Sequence, residues 1–312
     1  MRSVTQSASQ SARSPAVSAH GVWAPAVTPL RADLSIDKDR CVEHIRWLLR
    51  QGCHGVTLFG TTGEAPSFSV GERIELLERL IDANVSPDRL MIGTGCCALT
   101  DTVRLTVHAA ASGCKNVLIM PPFYFKNVSD EGLLRSYGQI IERVGDSALR
   151  VFLYHFPQLS LTPITETLID TLLERYPNTI AGMKDSSEDW THIHGWLRRY
   201  PNLAVFPGSE EFLLDGLRAG ARGCISATAN INPHGIRAVY DAWEQDNTDA
   251  DSKQRFAGAV RMVVAQYPLA PALKQIIARH KRDEHWLPVR PPLVSLAKDD
   301  AKTLLKSLRF AM

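Results

Sequence analysis

TIAGMKDSS, Thr179 to Ser187, is the stretch on which the fold of this chain turns. Its first five residues lack the polar alternation of a half-exposed strand, as expected of a strand buried on both faces of a parallel sheet. The run stops at Lys184. An unpaired ammonium costs several kcal/mol to bury, or it gives up its proton. Either Lys184 reaches water from a strand end, or its neutral amine has a use.

Working outward, runs of the same kind recur at regular spacing. GVWAPAV from Gly21, GVTLFG from Gly55, LMIGTG from Leu90, NVLIM from Asn116, RVFLY from Arg150, LAVFPG from Leu203 and GCISA from Gly223 join TIAGMK as candidate strands. Helix punctuation fills the gaps. Asp37 is placed to cap a helix carrying Cys41, Ile45, Leu48 and Leu49, and Ser69 with Glu72 has capping-box spacing. Ser129, Thr162-Pro163 and Ser209 open three more apolar stripes. Strand and helix therefore alternate in about eight units, and closing the sheet on itself removes both exposed edges. The expected fold is α/β, a (β/α)8 TIM barrel over residues 19–233, with a C-terminal helical appendage over 234–312.

Composition narrows the partners. The chain has 312 residues, 45% hydrophobic and 22% charged, with a formal net charge of +2. Those are proportions of an ordinary globular protein. Lys and Arg are scattered, so no nucleic-acid partner is expected, and no apolar run is long enough to cross a bilayer. The six cysteines lie mostly in apolar segments without a CxxC pair, which reads as core filler in a reducing compartment, the cytoplasm. No metal site is expected from their spacing. Residues 1–18 are rich in Ser and Ala and lack acidic residues; they read as a mobile tail, although a transit peptide shares that composition.

In parallel barrels the working residues project from the C-terminal ends of the strands. Lys184 stands at one such end, where desolvation favours a neutral amine able to attack a carbonyl and form a Schiff base; the plainer reading pairs it with Asp185 or Glu188. Tyr154 ends the preceding strand, beside which it could shuttle protons or simply pack its ring. Thr61 and Thr62, in GTTGE, offer hydroxyls and backbone N–H groups to a carboxylate, though the same turn also suits a phosphate.

GTTGE at Gly60, YHFP at Tyr154 and GMKDSS around Lys184 together resemble the dihydrodipicolinate synthase/N-acetylneuraminate lyase family. The resemblance runs in order from about Gly21 to Pro233. It implies a class I lyase in which Lys184 forms the imine with pyruvate or another 2-oxo acid, Tyr154 relays protons and Thr61 links it to a second tyrosine, Tyr124. It further implies that Thr62 joins Thr61 in holding the carboxylate, and that Gly208 and Ile225 line the pocket. Tyr124 is contributed across a dimer interface in many members, so a homotetramer built as a dimer of dimers is implied. No cofactor is implied, because the imine is itself the electron sink.

Departures from the family pattern bear on substrate. Members that make dihydrodipicolinate carry an arginine where this chain has Leu159, and His155 replaces the commoner asparagine. Lys126 is a candidate replacement cation, or a solvated loop lysine. The expected activity is cleavage or formation of a carbon-carbon bond between pyruvate, or a related 2-oxo acid, and an aldehyde, as in sugar-acid aldolases. The alternatives are an authentic 4-hydroxy-tetrahydrodipicolinate synthase, a 2-oxo-3-deoxy sugar acid dehydratase and a non-catalytic keto-acid sensor.

Overall fold

The structure is a computed structural model that describes residues 19–311; the segment read as a tail lies outside them. Eight βα units follow one another. They are β1 (Gly21–Pro25), α1 (Lys38–Arg50), β2 (Gly55–Leu58), α2 (Val70–Asp82), β3 (Leu90–Gly93), α3 (Leu99–Ala111), β4 (Asn116–Ile119) and α4 (Asp130–Val144). Then come β5 (Arg150–His155), the single turn α5 (Pro157–Ser160), α6 (Glu166–Arg175), β6 (Ile180–Asp185), α7 (Trp190–Arg199), β7 (Ala204–Pro207), α8 (Leu213–Arg218), β8 (Gly223–Ile225) and α9 (Pro233–Glu244). Every pairing is parallel, in the order β7-β6-β5-β4-β3-β2-β1-β8. Across the remaining seam Arg222 N–H donates to the Val205 carbonyl at 3.1 Å, so a barrel results.

Two apolar layers explain the continuous runs. Val56, Ile92, Val117, Leu153 and Val205 face the helices and pack with Leu48, Leu77, Ile140 and Leu172. Trp23, Met91, Leu118, Phe152, Phe206 and Ile225 form a separate cluster inside the barrel. The interior is crowded. A Cβ on Gly182 would lie 2.5 Å from a Phe152 ring carbon and 2.4 Å from the Ala204 carbonyl oxygen, so only glycine fits opposite that ring.

Asp37 caps α1, both hydrogen bonds of the Ser69–Glu72 capping box form, and Ser129 caps α4. One helix start differs from expectation. The stripe from Leu168 opens at Thr165, which accepts from Leu168 N–H, and not at Thr162-Pro163. The intervening chain is held in a turn instead: Ser160 Oγ accepts Thr162 N–H, and His155 Nδ1 accepts Ile164 N–H at 3.2 Å.

The helix that begins at Pro233 buries Ile236, Val239 and Tyr240 in the barrel's outer apolar layer, so it completes the ring. Beyond it, α10 (Ala250–Val264), α11 (Leu269–Lys281) and α12 (Lys298–Ala311) form the helical C-terminal piece around Val264, Leu273, Ile277, Trp286 and Leu304.

Candidate active site

Lys184 owes its position to a β-bulge. Val151 pairs with Ile180, but Phe152 pairs with Gly182, so Ala181 is an extra residue in β6. Side chains alternate along a strand, and a one-residue slip exchanges the two faces. Were Ala181 paired in the ladder as an ordinary residue, Met183 would stand opposite Tyr154; because Ala181 bulges out of it, Lys184 does.

The three groups expected to act together are in contact. Lys184 Nζ donates to Tyr154 Oη at 3.1 Å, and Thr61 Oγ1 lies 3.2 Å from the same oxygen. Lys184 and Tyr154 are each only 4% exposed, and no carboxylate pairs with the lysine among the described residues. Lys184 Nζ also lies 4.3 Å from the Tyr154 ring centroid. The lysine is therefore neither at the water surface nor in an ion pair with Asp185 or Glu188.

The GTTGE turn is tied down from below. Gly60 carbonyl accepts from Gly63 and Ala65 N–H, and Thr61 carbonyl accepts from Glu64 N–H. The N–H groups of Thr61 and Thr62 donate to nothing among the described residues, and Thr62 is buried, which leaves a small donor cradle beside the Tyr154 hydroxyl. Glu64, in the left-handed region at φ 57°, turns away from it. Its carboxylate accepts Arg290 N–H at 3.0 Å and pairs with Lys274 of α11 at 2.5 Å, with both side chains fully buried. Burial pushes the Lys274 ammonium down and Glu64 opposes that shift. This anchor was missed in the sequence, where Glu64 reads as lying near a helix start after a tight turn.

Gly208 follows β7 and Ile225 ends β8. Ile225 is fully buried inside the barrel, and Gly208 N–H donates to the Asp185 carbonyl at 2.6 Å. A Cβ on Gly208 would fall 2.2 Å from Ser186 Oγ, so β6 and β7 approach this closely only with glycine there. Tyr124 is different. Its ring is 74% exposed, packs edge-on against Phe125, and has no hydrogen bond to Thr61 or Tyr154 within the chain. Lys126 is used locally, donating to the Phe123 and Ser160 carbonyls.

Two further polar groups surround the site. Glu210, in the turn after β7, is fully buried and accepts from Ser226 and Thr228 hydroxyls after β8; burial raises its carboxyl. On the helix side of β5 and β6, His155, Asp185 and His192 bring ligand-type atoms within 4.8 Å of one another. Hydrogen bonds already commit these atoms. Asp185 Oδ2 accepts from Trp196 Nε1 and shares a proton with His192 Nδ1, both at 2.9 Å. His155 Nδ1 accepts from Ile164 N–H, which puts the ring proton on Nε2 and makes that nitrogen a donor, not a ligand. Burial holds His155 down at about 4, and the Asp185 hydrogen bond raises His192. Burial would raise Asp185, yet the bonds from His192 and Ser187 leave it lowered.

A barrel whose strand ends present a buried lysine against a tyrosine and a threonine-lined turn defines an enzyme class, the lyases and aldolases of one family. Residues 18–311 match the dihydrodipicolinate synthetase family, and the chain belongs to it. An uncharacterized DapA-like lyase of Chloroflexus aurantiacus is 38% identical over 285 residues, 91% of this chain and 94% of its own. The crystal structure of dihydrodipicolinate synthase from Agrobacterium tumefaciens superposes with a TM-score of 0.87 at 30% identity, over 94% of this chain and 100% of that one. YagE of Escherichia coli K12, provisionally named a 2-dehydro-3-deoxy-D-gluconate aldolase, is 29% identical over 298 residues, 93% of this chain and 97% of its own. Its crystal structure in complex with pyruvate superposes with a TM-score of 0.86, over 95% of this chain and 99% of that one.

Proposed function

We propose that the protein is a class I aldolase for a 2-oxo acid, with Lys184 as the nucleophile. The observation that carries this reading is the buried Lys184–Tyr154–Thr61 chain, with contacts of 3.1 and 3.2 Å. The amine attacks the keto carbon, and the carbinolamine loses its hydroxyl as water after Tyr154 supplies a proton. The iminium then accepts the electron pair of the carbon-carbon bond as it breaks. The Tyr154 phenolate takes the proton of the hydroxyl on the departing carbon, an aldehyde leaves, the enamine is protonated at carbon, and water releases pyruvate from the lysine. The N–H groups of Thr61 and Thr62 hold the carboxylate throughout.

Tyr124 completes the relay from a neighbouring subunit of a homotetramer in this reading, which accounts for its exposure in one chain. The YagE relative, bound to pyruvate and named for a sugar-acid substrate, supports a sugar-acid aldolase over the synthase. Leu159, which stands where synthases keep arginine, is exposed and brings no charge to an acidic aldehyde. We place the enzyme in the cytoplasm, in keeping with six free cysteines.

Incubation with pyruvate and borohydride, followed by intact mass and peptide mapping, tests the mechanism. A stable adduct on Lys184 is the expected result. No adduct with pyruvate or longer 2-oxo acids, in folded protein, would overturn it.

A further inference from the structure

The junction of barrel and C-terminal helices encloses a cavity of about 280 Å³ that the mechanism does not use. His44 and Trp47 of α1, Ile276 and Ile277 of α11, and Leu305 and Leu308 of α12 line it. One side is aromatic, where the His44 ring and the Trp47 indole stack 14° from parallel with centroids 5.8 Å apart. Such a lining, apolar with few polar groups, is that of a small-molecule site.

One polar atom in this wall lacks a partner. Asn230 is fixed: its Nδ2 donates to the Pro25 and Ala227 carbonyls, and its Oδ1 accepts Val27 N–H. Facing His44 Nε2 at 3.0 Å, that same Oδ1 accepts, so Nε2 carries the ring proton and Nδ1 is a bare lone pair. His44 is fully buried, and Nδ1 has no hydrogen-bonding partner among the described residues. Burial holds the ring down at about 4, so it stays neutral at neutral pH. A buried acceptor of this kind favours a ligand that brings a donor.

The cavity also has a cationic edge. Arg279, His280 and Lys281, in the last turn of α11, line it, and neither Arg279 nor Lys281 pairs with a carboxylate among the described residues. Cations suit any helix C-terminus. Here, however, Lys281 Nζ lies over the Trp47 and Trp286 rings at 5.8 and 5.5 Å, which places its charge at the edge of the aromatic wall. An anion on the edge and a donor at the inner end would satisfy both features.

We propose that this cavity binds an aromatic carboxylic acid carrying a hydrogen-bond donor at the end opposite its carboxylate. The aromatic ring lies along the His44–Trp47 wall, the donor meets His44 Nδ1, and Arg279 and Lys281 hold the carboxylate. Because Asn230 braces the end of β1 to the loop after β8, the occupant touches a residue that ties together two strands of the barrel.

The probe is 4-hydroxybenzoate, titrated against the full chain with tryptophan fluorescence as the readout and benzoate as the donor-free comparison. Saturable one-to-one binding is expected, with benzoate about tenfold weaker. Arg279→Glu/Lys281→Glu, a change at the cavity edge, should weaken binding at least about tenfold. Lys184→Ala, at the barrel mouth, should leave the affinity unchanged. Equal affinity for the two acids, insensitivity to the charge reversal, loss of binding in Lys184→Ala, or no saturation at millimolar ligand would each overturn the proposal.

Discussion

At the scale of single residues, the site separates groups that do chemistry from groups that hold them. Tyr154 Oη touches both Lys184 and Thr61, so Tyr154→Phe removes the proton carrier while leaving the ring packed in the barrel. Its kcat should fall about 100-fold or more, with borohydride still trapping the imine slowly; a loss under about threefold would exclude the relay. Glu64 and Lys274 work at one remove. Glu64→Gln strands a buried ammonium, and removing one partner of such a pair costs about 3–5 kcal/mol. The double variant Glu64→Gln/Lys274→Met should recover part of that stability in urea denaturation, and a fully additive double loss would count against the pairing. Lys184, Tyr154 and Thr61 were legible as a group because the strand ends of a parallel barrel converge on one mouth, although each alone also has a plainer reading. Lys274 was not, because a lysine within ALKQIIARH looks like any helix-surface cation until its partner, far away in sequence, is known.

Elements set which way these residues face. The eight strands were readable because burial on both faces removes polar alternation, a signal that depends on composition alone. The bulge was not: Ala181 and Gly182 look like ordinary small strand residues, and only the pairing with β5 shows that one of them is extra. Deleting Ala181 should leave a regular ladder in which Lys184 still stands opposite Tyr154 and faces into the barrel. Imine trapping should survive the deletion; a folded deletion variant that no longer traps pyruvate would contradict the register described here. Likewise, Thr162-Pro163 has the residue types of a helix start, but Ser160 and His155 claim the neighbouring N–H groups first.

Over the whole molecule, two buried histidines and the half-buried His54 set the response to acid. Burial holds His44, His54 and His155 at about 4, against about 6.5 in the unfolded chain. Between those values the unfolded state binds more protons, so stability is complete above about 6.5 and is lost as the pH falls through about 4. His192, raised by Asp185, has the opposite sign: its contribution holds at low pH and fades as pH climbs past its folded value. Urea midpoints measured from pH 4 to 8 should fall on the acid side, and His155→Asn should flatten that limb; an unchanged limb would refute its share. The fold also imposes an order in time. The GTTGE turn lies near the start of the chain, but the counter-ion of its Glu64, Lys274, and its brace, Arg290, lie near the end. A ribosome that has delivered all eight strands has still not delivered an enzyme, and a chain released early would carry every catalytic side chain and work with none of them.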